Sequence, residues 1–288
     1  MRNTTYLSIL LFVFIYLGNA SAATQVSCSH PEICRLAKII FNENEARDYE
    51  FTTIVTIAGD PHEYEPSSQE VKNLIKAPIL VAGPSELNPW IKKVNYQRSK
   101  ISNAKTINIQ IAKKDYALYP GATQEALSHF WLYPQIFCSL KATMEAQFIS
   151  LKMLPISISK KDCHADVVKI ENDLRATLKA IKTPIILTHD ALLPLLESLS
   201  SNKYNVVAIK GSGHHQEATP KSVKKLYDAL KAPKAIWIEE TGIKVPTNIL
   251  SKKRPTDLTV NIDTAKTEGL EYFQILKNLN EKLKALAI

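Results

Sequence analysis

The stretch TPKSVKKLYDALKAPKAIWIEE, residues 219–240, contains a helix followed by a buried strand. Thr219 can cap the helix, Pro220 suits its first position, and apolar residues recur every three or four positions as far as Leu230. The run AIWIEE, 235–240, has the length and composition of a buried strand. A helix that leads directly into a buried strand is the repeating unit of an α/β fold with parallel sheets.

Runs of the same kind occur along most of the chain. The predicted strands are FTTIVTI (51–57), PILVAG (78–83), TINIQI (106–111), PIILT (184–188), YNVVAI (204–209), AIWIEE (235–240) and LTVNI (258–262). Between the third and fourth of these, the residues 162–182 read as one long amphipathic helix. We therefore predict an α/β protein with two lobes, 23–161 and 183–288, each a mostly parallel sheet flanked by helices, joined by the connecting helix 162–182.

The N-terminus, residues 1–22, reads as a signal peptide. A positive charge at Arg2 precedes the apolar stretch LSILLFVFIYLG, and Ala20-Ser21-Ala22 has the pattern of a cleavage site. The first cysteine, Cys28, does not directly follow that site. These features predict a protein that is secreted to the periplasm and carries no lipid anchor.

The chain has four cysteines, which an oxidising compartment would allow to form disulfides. The closeness of Cys28 and Cys34 makes them a reasonable first pair, which would leave Cys138 with Cys163. Four cysteines allow three connectivities, however, and the sequence does not choose among them.

The formal net charge is +8, in a chain with 45% apolar and 22% charged residues. The lysines are spread over predicted helix faces, without the interleaved aromatic residues that single-stranded nucleic acid requires. We therefore expect no nucleic-acid partner and a soluble monomer. Adhesion to an anionic surface stays open as an alternative that rests on charge alone.

Polar residues with metal-binding chemistry follow several predicted strands. His62, in GDPHEYEP (59–66), His189 and Asp263 each come just after a strand, at the edge where open α/β sheets bind ligands. With His129 they make a set of three imidazoles and one carboxylate, which zinc accepts in tetrahedral geometry. Glu63 and Glu65 could orient His62, or could belong to a solvated turn.

The remaining histidines are predicted to have no ligand role. His30 and His164 read as solvated residues near helix starts. His214 and His215 read as part of a flexible loop after the strand 204–209, with transient metal capture as the alternative.

Four segments resemble, in the same order, the zinc and manganese solute-binding proteins of bacterial ABC transporters. They are DPHEYEPSSQEVKNLIKAPILVAG (60–83), HFWLYP (129–134), HDAL (189–192) and VNIDTAKTEGLEYF (260–273). The resemblance implies two α/β lobes joined by a long helix, with a metal between the lobes on His62, His129, His189 and Asp263. One departure lies within the second segment, where Tyr133 stands in place of the usual Asp.

The resemblance implies a receptor that captures a divalent metal, zinc or alternatively manganese, and delivers it to an ABC permease of the inner membrane without catalysing a reaction. With three nitrogen ligands, zinc is the favoured metal. The alternative from another class is a secreted metallohydrolase that uses the same His and Asp residues. Against it, HEYEP lacks the second histidine of H-E-x-x-H, because Pro66 stands in its place and would break the required helix.

Overall fold

The structure is a computed structural model, and it describes residues 23–53, 64–155, 162–200, 206–210, 218–243, 245–263, 269 and 271–287. The predicted signal peptide, His62, Glu63, His214 and His215 lie outside these ranges. No helix in the described ranges is long and apolar enough to cross a membrane.

The described strands form two four-stranded sheets in which every pairing is parallel. The strands are β1 (Thr24–Cys28), β2 (Tyr49–Thr53), β3 (Ile79–Ala82), β4 (Lys105–Asn108), β5 (Ile185–His189), β6 (Val206–Lys210), β7 (Ile236–Glu240) and β8 (Leu258–Ile262). The orders are β2-β1-β3-β4 in the N-terminal lobe and β6-β5-β7-β8 in the C-terminal lobe. The predicted α/β class with two mostly parallel sheets is confirmed.

Helices lie between the strands, as parallel pairing requires. They are α1 (Pro31–Glu43), α2 (Ser68–Lys76), α3 (Ile91–Arg98), α4 (Lys113–Tyr116), α5 (Gln124–Ser128), α6 (Pro134–Ser150), α7 (Cys163–Ala180), α8 (Leu193–Leu199), α9 (Pro220–Ala229), α10 (Thr247–Leu250) and α11 (Gln274–Leu286), with 3-10 turns at Phe130–Leu132 and Asp190–Leu192. The side chain of Thr219 accepts a hydrogen bond from the backbone N–H of Ser222, so the cap predicted for α9 is present.

β1 is a central strand of the first sheet, and its local sequence did not predict it. Its residues, TQVSC, include one β-branched apolar side chain, so they show neither a hydrophobic run nor an alternation. Val26 lies opposite both Phe51 of β2 and Ile79 of β3, and it is fully buried. Pairing on both sides, rather than local composition, makes this segment a strand.

The long helix α7 begins at Cys163, where the Asp162 side chain accepts a hydrogen bond from the backbone N–H of His164. Its apolar face packs against α6, α8 and α11, and the hydroxyl of the buried Thr177 donates to Asn280 Oδ1 at 2.6 Å. The main hydrophobic core is continuous from Val26 in the first sheet to Ile236 in the second. The lobe boundaries near 161 and 183 stay a prediction, but apolar packing continues from one sheet to the other.

Two disulfides are present, Cys28–Cys34 and Cys138–Cys163, with Cα atoms 5.3 and 5.8 Å apart. The first connects the end of β1 to α1, and the second fastens the start of α7 to α6. Of the three possible connectivities, the structure has the one suggested by the closeness of Cys28 and Cys34.

We predict that replacing Cys138 and Cys163 together by alanine lowers the free energy of unfolding of the metal-free protein by about 3 kcal/mol, through the entropy of the unfolded chain. The shorter Cys28–Cys34 loop should contribute about 2 kcal/mol by the same reasoning. Urea unfolding of the two double variants would measure both losses. A larger loss for the Cys28–Cys34 pair would contradict the prediction.

Candidate metal centre

His189 ends β5, a strand that pairs on both sides, and its side chain is almost fully buried. Its Nδ1 lies 2.9 Å from Oε2 of Glu240, the last residue of the neighbouring strand β7. Since an ionised carboxylate only accepts hydrogen bonds, Nδ1 is assigned the proton of the neutral ring. Nε2 then holds the lone pair with which a neutral imidazole coordinates a metal.

His129 directly follows the short helix α5, whose first turn is capped by the Thr123 side chain on the backbone N–H of Ala126. The ring is buried, and its Nδ1 lies 3.2 Å from both the Glu125 and the Ala126 carbonyl oxygens. These carbonyls belong to the last turn of α5. Carbonyl oxygens accept hydrogen bonds, so Nδ1 is again assigned the proton and Nε2 the lone pair.

The structure brings His129 and His189 together from the two lobes. Their ring centroids are 5.7 Å apart, with the ring planes at 75°. The His129 ring also contacts the Trp131 ring in an edge-to-face arrangement, at 5.3 Å between centroids. Two buried imidazoles with this protonation pattern fit the ligand set of a transition-metal ion such as zinc.

The other two predicted ligands, His62 and Asp263, stay predictions. Asp263 follows β8 at the carboxyl edge of the second sheet and is partly exposed. In the described residues, no group of three or more His, Cys, Asp and Glu side chains is arranged to hold a metal, so the role of Asp263 as a ligand stays a prediction. His62 lies outside the described residues, and its position stays a prediction.

His30 departs from the sequence analysis, which expected a solvated residue. Its side chain is buried, its Nδ1 accepts a hydrogen bond from the backbone N–H of Glu32 at 3.1 Å, and its ring stacks on Trp131 at 5.2 Å. His30 is buried because it lies just after β1, a central strand, at the edge of the sheet near Trp131 and His129. His164 is exposed, as expected.

Glu240 was also missed as a functional residue, although the strand that ends with it was predicted. The sequence indicated carboxylates next to His62, and of these the described Glu65 is exposed. The carboxylate that contacts a candidate ligand is 51 positions away from His189 in sequence. The sequence feature that could have indicated Glu240 is its place at the end of a predicted strand. The ends of parallel strands lie at one edge of the sheet, where His189 also lies.

Two curated relatives align over nearly the whole chain. The metal ABC transporter substrate-binding lipoprotein ScbA of Streptococcus cristatus is 22% identical over 320 residues, covering 98% of each chain. The iron ABC transporter substrate-binding lipoprotein MtsA of Streptococcus pyogenes is 24% identical over 313 residues, covering 99% of each.

Both relatives are named as lipoproteins. By this comparison, the prediction that the protein carries no lipid anchor is wrong. The prediction rested on the spacing between a three-residue cleavage pattern and Cys28. Such a pattern consists of a few small residues and is a weak guide to how the leader is processed.

Among solved structures, the periplasmic zinc-binding protein TroA of Treponema pallidum has a similar fold. It matches with a TM-score of 0.66 and 14% identity, covering 92% of this chain and 99% of TroA. A family model described as zinc-uptake complex component A, periplasmic (ZnuA), matches residues 26–286. By this match over nearly its full length, the chain belongs to the ZnuA family.

Proposed function

We propose that the protein captures a divalent transition metal, with zinc favoured and manganese as the alternative, and delivers it to a membrane ABC permease. The observation that carries the proposal is the pair of buried imidazoles, His129 and His189, which come from different lobes and lie 5.7 Å apart. Each has Nδ1 next to an oxygen acceptor, so each can present Nε2 to a cation.

We propose His62, His129, His189 and Asp263 as the ligands. His62 and Asp263 would add one nitrogen and one carboxylate oxygen to the described pair, which gives zinc four ligands of the types that it prefers. The Glu240 carboxylate supports this assignment, because its negative charge beside the His189 ring favours a dication nearby. The metal is the cargo of the protein, and its release has to be possible.

The proposed role involves no catalysis. ZnuA-type proteins are binding components of transporters and not enzymes, and the metallohydrolase alternative finds no support among the relatives. Four protein ligands would also leave no coordination position for an activated water. We further propose that the protein acts as a monomer. We also propose that it binds no nucleic acid, because its lysines are dispersed along the chain rather than clustered with aromatic residues.

The central test is metal binding by protein that has been freed of metal. We expect one equivalent of zinc by elemental analysis and a melting temperature that falls reversibly on chelation. At free metal one hundred times the dissociation constant, binding should stabilise the fold by about 2.7 kcal/mol. His129→Ala should remove most of this gain, whereas His164→Ala, which changes an exposed ring, should keep it. Identical melting with and without zinc or manganese would refute the proposal.

The Glu240 carboxylate should contribute to metal affinity through His189. We expect Glu240→Gln to weaken zinc binding by about tenfold, because a neutral amide holds the Nδ1 proton less strongly than a carboxylate. Glu239→Gln is the matched control: it removes the same charge from the adjacent residue, which pairs with Lys253 at 2.6 Å and points to the other face of the sheet. Competition titration against a chromophoric chelator measures both affinities. Equal losses in the two variants would mean that only overall charge matters.

Metal preference should depend on the ligand type at position 189. Imidazole nitrogen suits zinc, while carboxylate oxygen suits harder ions such as manganese. We therefore expect the zinc-to-manganese affinity ratio to fall in His189→Glu, even if zinc still binds more tightly. Competition titrations on wild type and variant give the ratio directly. A ratio that is unchanged or higher would place His189 outside the set of ligands.

A further inference from the structure

The side chain of Tyr133 spans the gap between the two segments that carry the candidate ligands. Tyr133 lies four residues after His129, and its hydroxyl donates a hydrogen bond of 2.6 Å to the carbonyl oxygen of Ala191. Ala191 lies in the 3-10 turn that directly follows His189. A single side chain of the N-terminal lobe is therefore hydrogen-bonded to the backbone beside a ligand of the C-terminal lobe.

This hydrogen bond is shielded from water. Tyr133 and Ala191 are both fully buried, and the Tyr119 ring contacts the Tyr133 ring at 4.8 Å between centroids. Burial, with a smaller contribution from the charge of Asp190, raises the pKa of the Tyr133 hydroxyl well above its usual value. The hydroxyl therefore keeps its proton at neutral pH and donates this hydrogen bond.

The backbone connects each end of this hydrogen bond to a candidate ligand. On one side, the N–H of Leu132 donates to the His129 carbonyl at 2.8 Å, and the N–H of Tyr133 donates to the Phe130 carbonyl at 3.1 Å. On the other side, one residue separates Ala191 from His189, and helix α5, which positions His129, contacts the same 3-10 turn. A shift of the hydroxyl relative to Ala191 would therefore change the distance between the two imidazoles.

We propose that Tyr133 is a positioning residue that sets the spacing of His129 and His189, and thereby the affinity and the metal preference of the site. The proposal rests on the proposed function and extends it to a residue that does not touch the metal. The rigid tyrosine ring lets one hydroxyl of the N-terminal lobe reach the backbone of the C-terminal lobe.

The test is Tyr133→Phe, which removes one oxygen atom and retains the ring in the core. Its matched control is Tyr272→Phe. Tyr272 is another buried tyrosine whose hydroxyl crosses between the lobes, donating to Glu43 at the end of α1. Because α1 starts near His30 and has 13 residues, Glu43 lies about 20 Å along the helix from that edge. Both variants lose one buried hydrogen bond, so both should melt at a lower temperature.

Only Tyr133→Phe should alter the metal site. We expect zinc affinity about tenfold below wild type, a changed zinc-to-manganese ratio, and a changed visible absorption spectrum of the cobalt(II)-loaded protein, which reports ligand geometry. Tyr272→Phe should keep the wild-type affinity, ratio and spectrum. If Tyr133→Phe also keeps them, Tyr133 contributes stability alone and the inference is overturned. Wild type in the same titration tests the proposed function by itself, since it must bind one equivalent whatever Tyr133 does.

Discussion

Parallel pairing of β5 with β7 is the constraint on which the candidate metal centre depends. Parallel strands end at the same edge of a sheet, so His189 and Glu240 come to lie side by side although 51 positions separate them. The carboxylate then determines which ring nitrogen carries the proton. In the N-terminal lobe, His30 follows β1 and its ring stacks on Trp131, which also contacts His129.

A metal site with ligands from two lobes requires a defined separation between the lobes. Several contacts connect the lobes. The apolar core is continuous across both sheets, and the Cys138–Cys163 disulfide fastens the connecting helix α7 to α6. Arg35 of α1 donates to the Glu271 carbonyl at 3.1 Å and pairs with Glu32 at 2.7 Å. Together these contacts connect the segments of the two lobes that carry the imidazoles.

Much of the fold and part of the site could be predicted from local sequence. Seven of the eight described strands and the long helix follow from runs and periodicity, and His129 and His189 were identified by their motifs. β1 was not, because its five residues have too few apolar side chains for either pattern. His30 was consequently misjudged as solvated, since its burial follows from the central position of that strand.

The sequence by itself determined the α/β class, most of the strands and the long helix, because periodicity and turn chemistry act between neighbours along the chain. Its motifs also indicated His129 and His189 as candidate ligands. The tertiary structure decided which cysteines pair, which carboxylate contacts His189, and that Tyr133 reaches Ala191. Apart from Cys28–Cys34, these contacts join residues 25 to 58 positions apart in sequence. They form only when packing of the whole core brings two segments into register, and such packing leaves no local pattern by which it could be read beforehand.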